Sequence, residues 1–207
     1  MNKGQLFIIS GPSGSGKDTV ISRVLQASPN VRLSISSVTR GLREGEKEGE
    51  KYNYITPEEF KKLIETDALY EYNEYCGNFY GTPKKQVEDW IEQGLDVILE
   101  IDVNGAKKIM TMMPEVVSIF ILPPSMQVLA ARLQGRNTET EEVVKNRLRE
   151  AVNEIASAEL YQYLVVNDVI DTAVADINAI IKSNHLTYTA QKYFLNEVQK
   201  DAESFHR

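Results

Sequence analysis

Leu6-Phe7-Ile8-Ile9-Ser10 runs directly into Gly11-Pro12-Ser13-Gly14-Ser15-Gly16-Lys17-Asp18-Thr19, and the reading of this stretch decides the fold. The apolar run has the length and composition of a buried strand. Beyond it, Val20, Ile21, Val24 and Leu25 recur at helical spacing. A glycine-rich turn between strand and helix lets successive backbone N–H groups converge on one concavity, where the phosphates of a nucleotide can sit. The helix adds the positive end of its dipole, and Lys17 adds a full charge. The spacing from Gly11 to Gly16-Lys17 fits the frame G-x-x-x-x-G-K of a P-loop, so Gly11, Ser13, Gly14, Ser15, Gly16 and Lys17 are candidate phosphate contacts. Asp18 stands where a Ser or Thr usually offers a hydroxyl to Mg²⁺. No direct metal ligand is therefore assigned: Mg²⁺ arrives with the nucleotide, and Asp18 or Thr19 is its candidate protein contact.

The chain has 207 residues, enough for one domain with a sizeable core and a lid or insert. Its 42% hydrophobic and 26% charged content is globular, and the net charge of −7 argues against a nonspecific nucleic-acid partner. A single cysteine, Cys76, excludes an internal disulfide and suits a reducing cytoplasm; its expected role is that of a small packing residue. Met1-Asn2-Lys3-Gly4 leads straight into the first strand with no signal-peptide pattern, and no apolar run has the length of a membrane span.

Outward from the opening stretch, Val31 to Ser36 alternates like a strand, and a polar loop runs from Ser37 to Tyr52. Arg40 and Arg43 are spaced to reach one phosphate, with the hydroxyl of Tyr52 following. Thr56-Pro57-Glu58-Glu59 is a helix start with a capping box, and Phe60, Leu63 and Ile64 form its apolar face. Leu69–Gly81 reads as short strands rich in tyrosine, so 37–81 forms an insert in the surrounding strand–helix alternation. Thr82-Pro83 begins the next helix. Asp96 to Asp102 reads as a buried strand with Glu100 and Asp102 on one face at its carboxyl end, where ligands bind in open α/β sheets. Further strands are expected at 116–122 and 163–167, with helices between and after them. Arg132, Arg136 and Arg147 flank a polar break at 134–142, as in a lid that swings cations over a nucleotide. By spacing alone, Arg147 and Arg149 belong to the solvated face of a Glu-rich helix. The pattern predicts an α/β fold: a doubly wound parallel sheet of the P-loop NTPase type with a small inserted subdomain and a helical lid.

The motifs Gly11–Lys17, Ser34-Ile35-Ser36 with Thr39-Arg40 and Arg43-Glu44-Gly45-Glu46, Tyr52, Gly77-Asn78-Phe79-Tyr80-Gly81-Thr82, Glu100-Ile101-Asp102, Arg132-Leu133 with Gly135-Arg136, and Val165-Val166-Asn167-Asp168 follow one another across nearly the whole chain. In this set and order the sequence resembles the guanylate kinases, which pass the γ-phosphoryl group of ATP to GMP. The resemblance implies one domain over 1–207, with a core of 1–36, 82–132 and 157–207, a GMP-binding insert at about 37–81 and a lid at about 133–156. It implies that Arg40, Arg43, Tyr52 and Tyr80 hold the GMP phosphate, that Ser36, Glu71, Thr82 and Asp102 read the guanine, and that Glu46 and Glu100 belong to the same site. Lys17, Arg40, Arg136 and Arg147 would carry the catalytic charge. Arg132, Arg136, Asn167, Asp18 and Thr19 would join the P-loop around ATP.

The chemistry behind these roles is simple. Guanine presents an N1–H and an amine, two donors that one carboxylate can accept, and a hydroxyl such as that of Thr82 can donate to O6. GMP is already an anionic nucleophile, so no general base is required, and His185 and His206 are not needed as catalysts. The implied cofactor is Mg²⁺ with ATP. The implied partners are ATP, GMP and dGMP, with no nucleic acid or membrane, and a homodimer is an open alternative. Asn137 stands where the lid commonly has glycine. Two other readings are a peptide-binding guanylate kinase-like module, opposed by Lys17 and the lid arginines, and a kinase for another nucleotide, opposed by Glu71 and Asp102.

Overall fold

The computed structural model describes residues 3–43, 45–135 and 141–206. Its centre is β1 (Leu6–Ser10), every residue of which is buried. The chain continues through α1 (Lys17–Ala27), β2 (Val31–Leu33), β3 (Ser36–Val38), β4 (Tyr52–Tyr54), α2 (Pro57–Glu65), β5 (Leu69–Tyr75), β6 (Asn78–Pro83), α3 (Lys84–Glu92), β7 (Asp96–Glu100), α4 (Val103–Met112), β8 (Val117–Leu122), α5 (Met126–Gln134), α6 (Glu141–Ala156), β9 (Tyr163–Val166), α7 (Ile170–Asn184) and α8 (Tyr188–Glu203). Five strands form a parallel sheet in the order β2-β7-β1-β8-β9. This is the predicted α/β architecture.

Strand periodicity sorts β1 between two cores. Phe7 and Ile9 face one side of the sheet and pack with Val20, Ile21 and Val24 of α1 and Ala173 and Ile177 of α7. Leu6 and Ile8 face the other and pack with Val87 of α3 and Ala106 and Ile109 of α4. Each such fully buried aliphatic or aromatic side chain contributes about 1.5–3 kcal/mol relative to exposure. With both faces covered, the carboxyl-end edge of the sheet is the side left for a ligand.

A second sheet, in the order β4-β3-β6-β5, stands beside the first. The strand expected from Val31 to Ser36 is in fact divided between the two sheets. Ser34 still donates to Ile98 in the large sheet, whereas the Ser36 N–H donates to the carbonyl of Lys51 in the small one. Alternation in the sequence is the same on either side of that bend, so it could not reveal the change of sheet. Two other boundaries shift. Thr82 and Pro83 finish β6, and α3 begins at Lys84. Strand β7 stops at Glu100, and Asp102 is the N-cap of α4. The two carboxylates are therefore not neighbours on one strand face. Cys76, expected to pack, is exposed in the β5–β6 turn with φ of 50°.

The capping box forms as predicted: Thr56 accepts from the Glu59 N–H and Glu59 accepts from the Thr56 N–H. His185 lies at the amino end of the large sheet, its Nε2 within 2.8 Å of Asp96 Oδ2, far along the strands from the P-loop. No helix among the described residues is long and apolar enough to cross a membrane.

Candidate active site

Two cavities open side by side at the carboxyl end of the large sheet. One, of about 320 Å³, is lined by Gly11–Gly14, Gly16–Thr19, Glu100–Asp102 and Glu154. The other, of about 230 Å³, is lined by Ser36, Tyr52, Glu71, Asn73, Tyr75, Tyr80, Gly81 and the same Glu100–Asp102. The turn after β7 is thus a shared wall.

The first cavity is centred on the glycine-rich loop Gly11–Thr19. Gly16, at φ of 86°, caps α1 in a left-handed conformation, and a Cβ there would meet Asn167 Nδ2 at 2.4 Å. Asn167 is buried and donates to the carbonyl of Ser15 at 2.8 Å. Arg132 donates to the same carbonyl at 3.2 Å and to the carbonyl of Asn167 at 2.9 Å. These two residues clamp the outside of the loop. They also line a 360 Å³ groove with Gly14, Gly16, Thr19, Asp168 and Ile170. Ser15 Oγ is buried without a hydrogen-bond partner, as expected of a loop shaped to receive an acceptor.

Lys17 Nζ lies 3.1 Å from Glu100 Oε1, a pair with side chains only 20% and 10% exposed. Lys51, arriving from the small sheet, lies 2.9 Å from Glu100 Oε2 and 2.9 Å from Asp18 Oδ1. Hydrogen bonding to Glu100, with the lysines adding to it, holds the Asp18 carboxyl well below the usual carboxylate range. Glu154 of α6 also faces this cavity. Burial pushes its carboxyl up, against the opposing charge of Lys17. Arg147, placed by spacing on a solvated face, instead reaches the P-loop at Ser13 Oγ (3.4 Å). Arg149 pairs with Asn146 on the exposed side. Arg136, with Asn137, lies outside the described residues.

The second cavity is made of side chains. Glu71, nine-tenths buried, accepts the Thr82 hydroxyl at 2.8 Å. That hydroxyl has one hydrogen, so its donor is directed at Glu71 and not into the cavity. Burial pushes the Glu71 carboxyl up, with the charge of Asp102 adding to it and Thr82 opposing. Gly105 is required here: a Cβ would come within 2.9 Å of Glu71 Oε2. Asp102 accepts from the Gly105 N–H at 2.7 Å and from Asn73 Nδ2 at 3.1 Å.

Beside this cavity, Arg40 forms a two-pronged pair with Glu46, both contacts 2.7 Å. Its guanidinium stands 4.9 Å from the Tyr52 ring centroid and 5.5 Å from that of Tyr54. Glu46 also accepts from Tyr54 Oη at 2.7 Å and from the Arg43 N–H at 2.9 Å, and these contacts hold its carboxyl down to about 2. Arg40 Nε remains buried and unpartnered. The Arg43 side chain is exposed, and Tyr80 packs edge-on against Tyr52 with centroids 6.4 Å apart. Lys51, Asn73, Tyr54 and Glu154 were not singled out from the sequence. Lys51, Tyr54 and Asn73 lie within the stretch expected to be the GMP-binding insert, and Glu154 within the expected lid, but none of them belongs to a motif.

Similarity to known proteins places this fold and its two adjoining cavities in a family. The profile of the family described as guanylate kinase matches residues 3–184. The chain belongs to the guanylate kinase family. Among curated guanylate kinases, that of Shewanella sp. (strain MR-7) is 43% identical over 200 residues, covering 96% of this chain and 97% of the relative. That of Oceanobacillus iheyensis is 48% identical over 184 residues, 89% of each chain. The crystal structure of guanylate kinase from Anaplasma phagocytophilum superposes with a TM-score of 0.73 at 38% identity, covering 90% of this chain and 88% of that one. The chain is accordingly an enzyme of the guanylate kinase class, and α8 lies beyond the segment matched by the family profile.

Proposed function

We propose that the family's reaction, ATP-dependent phosphorylation of GMP to GDP, takes place across the shared wall Glu100–Asp102, and that dGMP is also accepted. The observation that carries this reading is the pairing of a glycine-loop cavity holding Lys17 with a neighbouring cavity holding a buried carboxylate, Glu71. ATP phosphates lie on the N–H groups of Gly11–Lys17, and its base takes the groove beside Asn167 and Arg132. Guanine enters the second cavity with N1–H and the amine on Glu71. Because Thr82 donates to Glu71, it fixes the carboxylate, and Ser36, which lines the same cavity, offers a hydroxyl to O6. Adenine presents no paired donors there and would leave Glu71 unsatisfied, at a cost of about 1–3 kcal/mol.

Arg40, held by Glu46 and by the faces of Tyr52 and Tyr54, is positioned for the GMP phosphate, with Arg43 and Tyr80 joining it. Lys17 and Arg147, with Arg136, neutralise charge on the transferring phosphoryl group. The barrier is lowered by alignment and charge compensation, without proton abstraction. Segments 37–81 and 133–156 act as the GMP-binding unit and the lid, closing over the nucleotides to exclude water. Among the described residues no group of three or more His, Cys, Asp or Glu could hold a metal. Of the two candidate contacts, Asp18 is paired with Lys51, and the hydroxyl of Thr19 in the phosphate cavity would be the one to face a hydrated Mg²⁺ shared with ATP; such an ion would supply further charge neutralisation.

ADP release measured with GMP, dGMP, AMP, CMP and UMP tests the reading. GMP and dGMP should be the preferred acceptors. Preference for AMP would move the chain to another nucleotide, and no turnover on any of them would favour a binding module.

A further inference from the structure

The P-loop of this chain carries an acid directly after its lysine, in a cavity that must take a polyanion. Asp18 is tolerated by the positive end of α1, yet its carboxylate lines the phosphate cavity. Lys51, from the small-sheet side, contacts it, and Glu100 and Lys17 of the core continue the row. The order along the wall is Asp18, Lys51, Glu100, Lys17, with successive contacts of 2.9, 2.9 and 3.1 Å. Formal charges in this row cancel. Without Lys51 the row would carry a net negative charge facing the phosphates.

We propose that Lys51 is a positioning residue for ATP: it neutralises Asp18 and draws that carboxylate onto the small-sheet side of the cavity, leaving Lys17 and the loop N–H groups to the phosphates. The inference rests on the phosphate cavity being the ATP site. Lys51 suits the task because its backbone is fixed: its carbonyl accepts the Ser36 N–H at 3.2 Å where β3 and β4 pair. Burial alone would lower its ammonium group, but Glu100 and Asp18 outweigh this and raise it, so Lys51 stays charged at any working pH. The alternative is that Lys51 merely props the small sheet against the core. The two roles differ in which substrate they affect and in whether they depend on Asp18.

The experiment is a double-mutant cycle on the full chain with Lys51→Met, Asp18→Ser and the double variant. ATP and GMP are each varied in steady state, and ATP binding is titrated calorimetrically without GMP. Lys51→Met should raise the ATP KM and Kd about tenfold in the presence of Asp18. In the Asp18→Ser background the same substitution should change them less than about twofold, because the remaining carboxylate of the row, Glu100, keeps Lys17 as its partner and no net negative charge is left. The GMP KM should follow neither change, and Lys51→Arg should restore most of the loss. An equal cost in both backgrounds, or a loss confined to the GMP KM, would overturn the proposal in favour of a structural prop. Failure of the wild type to use GMP would count against the substrate reading alone, since ATP binding by the four proteins still decides the role of Lys51.

Discussion

The two cavities that meet at Glu100–Asp102 are built by different means. The phosphate cavity is centred on one contiguous loop, Gly11–Thr19, whose supports, Asn167 and Arg132, hold its outer side through carbonyl oxygens. The neighbouring cavity draws Ser36, Tyr52, Glu71, Tyr80 and Asp102 from strands, turns and a helix cap, held by side-chain hydrogen bonds. A backbone site tolerates the loss of any one side chain in binding, because its dipoles come with the fold. A side-chain site concentrates its selectivity in single groups, and a buried carboxylate among them costs the fold stability.

The largest expected effect tests the first half of this contrast. Lys17→Met should lower kcat about 10²- to 10³-fold, since it removes charge from the transferring group. ATP affinity should fall by less, about tenfold, because the loop N–H groups remain. Complete loss of ATP binding by calorimetry would show that the cradle is not built from the backbone.

Glu71→Gln tests the second half. It should reduce kcat/KM for GMP about 10- to 100-fold, by replacing an acceptor with a donor facing guanine. In nucleotide-free buffer at pH 7 the same variant should melt at a higher temperature than the wild type. The sign follows from the raised Glu71 carboxyl. The folded protein holds that proton more tightly than the unfolded chain, so stability is greatest when Glu71 is protonated and is lost as pH rises through its folded-state value. Removing the charge restores that stability at pH 7, and the gap should close on acidification. In the wild type, the GMP KM should begin to climb on acidification at a higher pH than an ordinary glutamate would dictate, and Glu71→Gln should flatten that rise. An unchanged melting temperature would contradict the burial account.

Smaller changes sharpen the contrast. Arg132→Ala removes one bond to the P-loop carbonyl of Ser15 and one to the carbonyl of Asn167, which itself supports the loop, so the ATP KM should rise several-fold while the GMP KM stays put. Thr56→Ala breaks the cap of α2 at a cost of about 1 kcal/mol, or about 2–4 °C in melting temperature, with ATP kinetics unaffected.

The same contrast explains what could be read in the sequence. The strand, glycine loop and helix around Lys17 occupy one continuous stretch, and each part follows from local chemistry. The flanking strands were legible because both faces of the sheet are buried, which leaves runs such as Val97-Ile98-Leu99 unbroken by polar residues. Residues of the second cavity came from the family resemblance, since their partners lie far along the chain: Glu71 with Gly105 on α4, Asp102 with Asn73. Lys51 pairs with Asp18 across 33 positions, and no periodicity points to such a contact. The hydrogen bond from the Thr82 hydroxyl to Glu71 is likewise a contact that only tertiary structure sets. Cys76 failed as a packing residue because the β5–β6 turn, with Gly77 at φ of 70°, carries it into solvent.

The central claim is best tested by a crystal structure of the chain with GMP and a non-hydrolysable ATP analogue bound together. The account predicts guanine N1 and its amine within hydrogen-bond reach of Glu71, ATP phosphates on the Gly11–Lys17 amides, and the two reacting phosphates facing each other beside Glu100. Guanine seated away from Glu71, or phosphates held apart on opposite sides of Ile101, would contradict it.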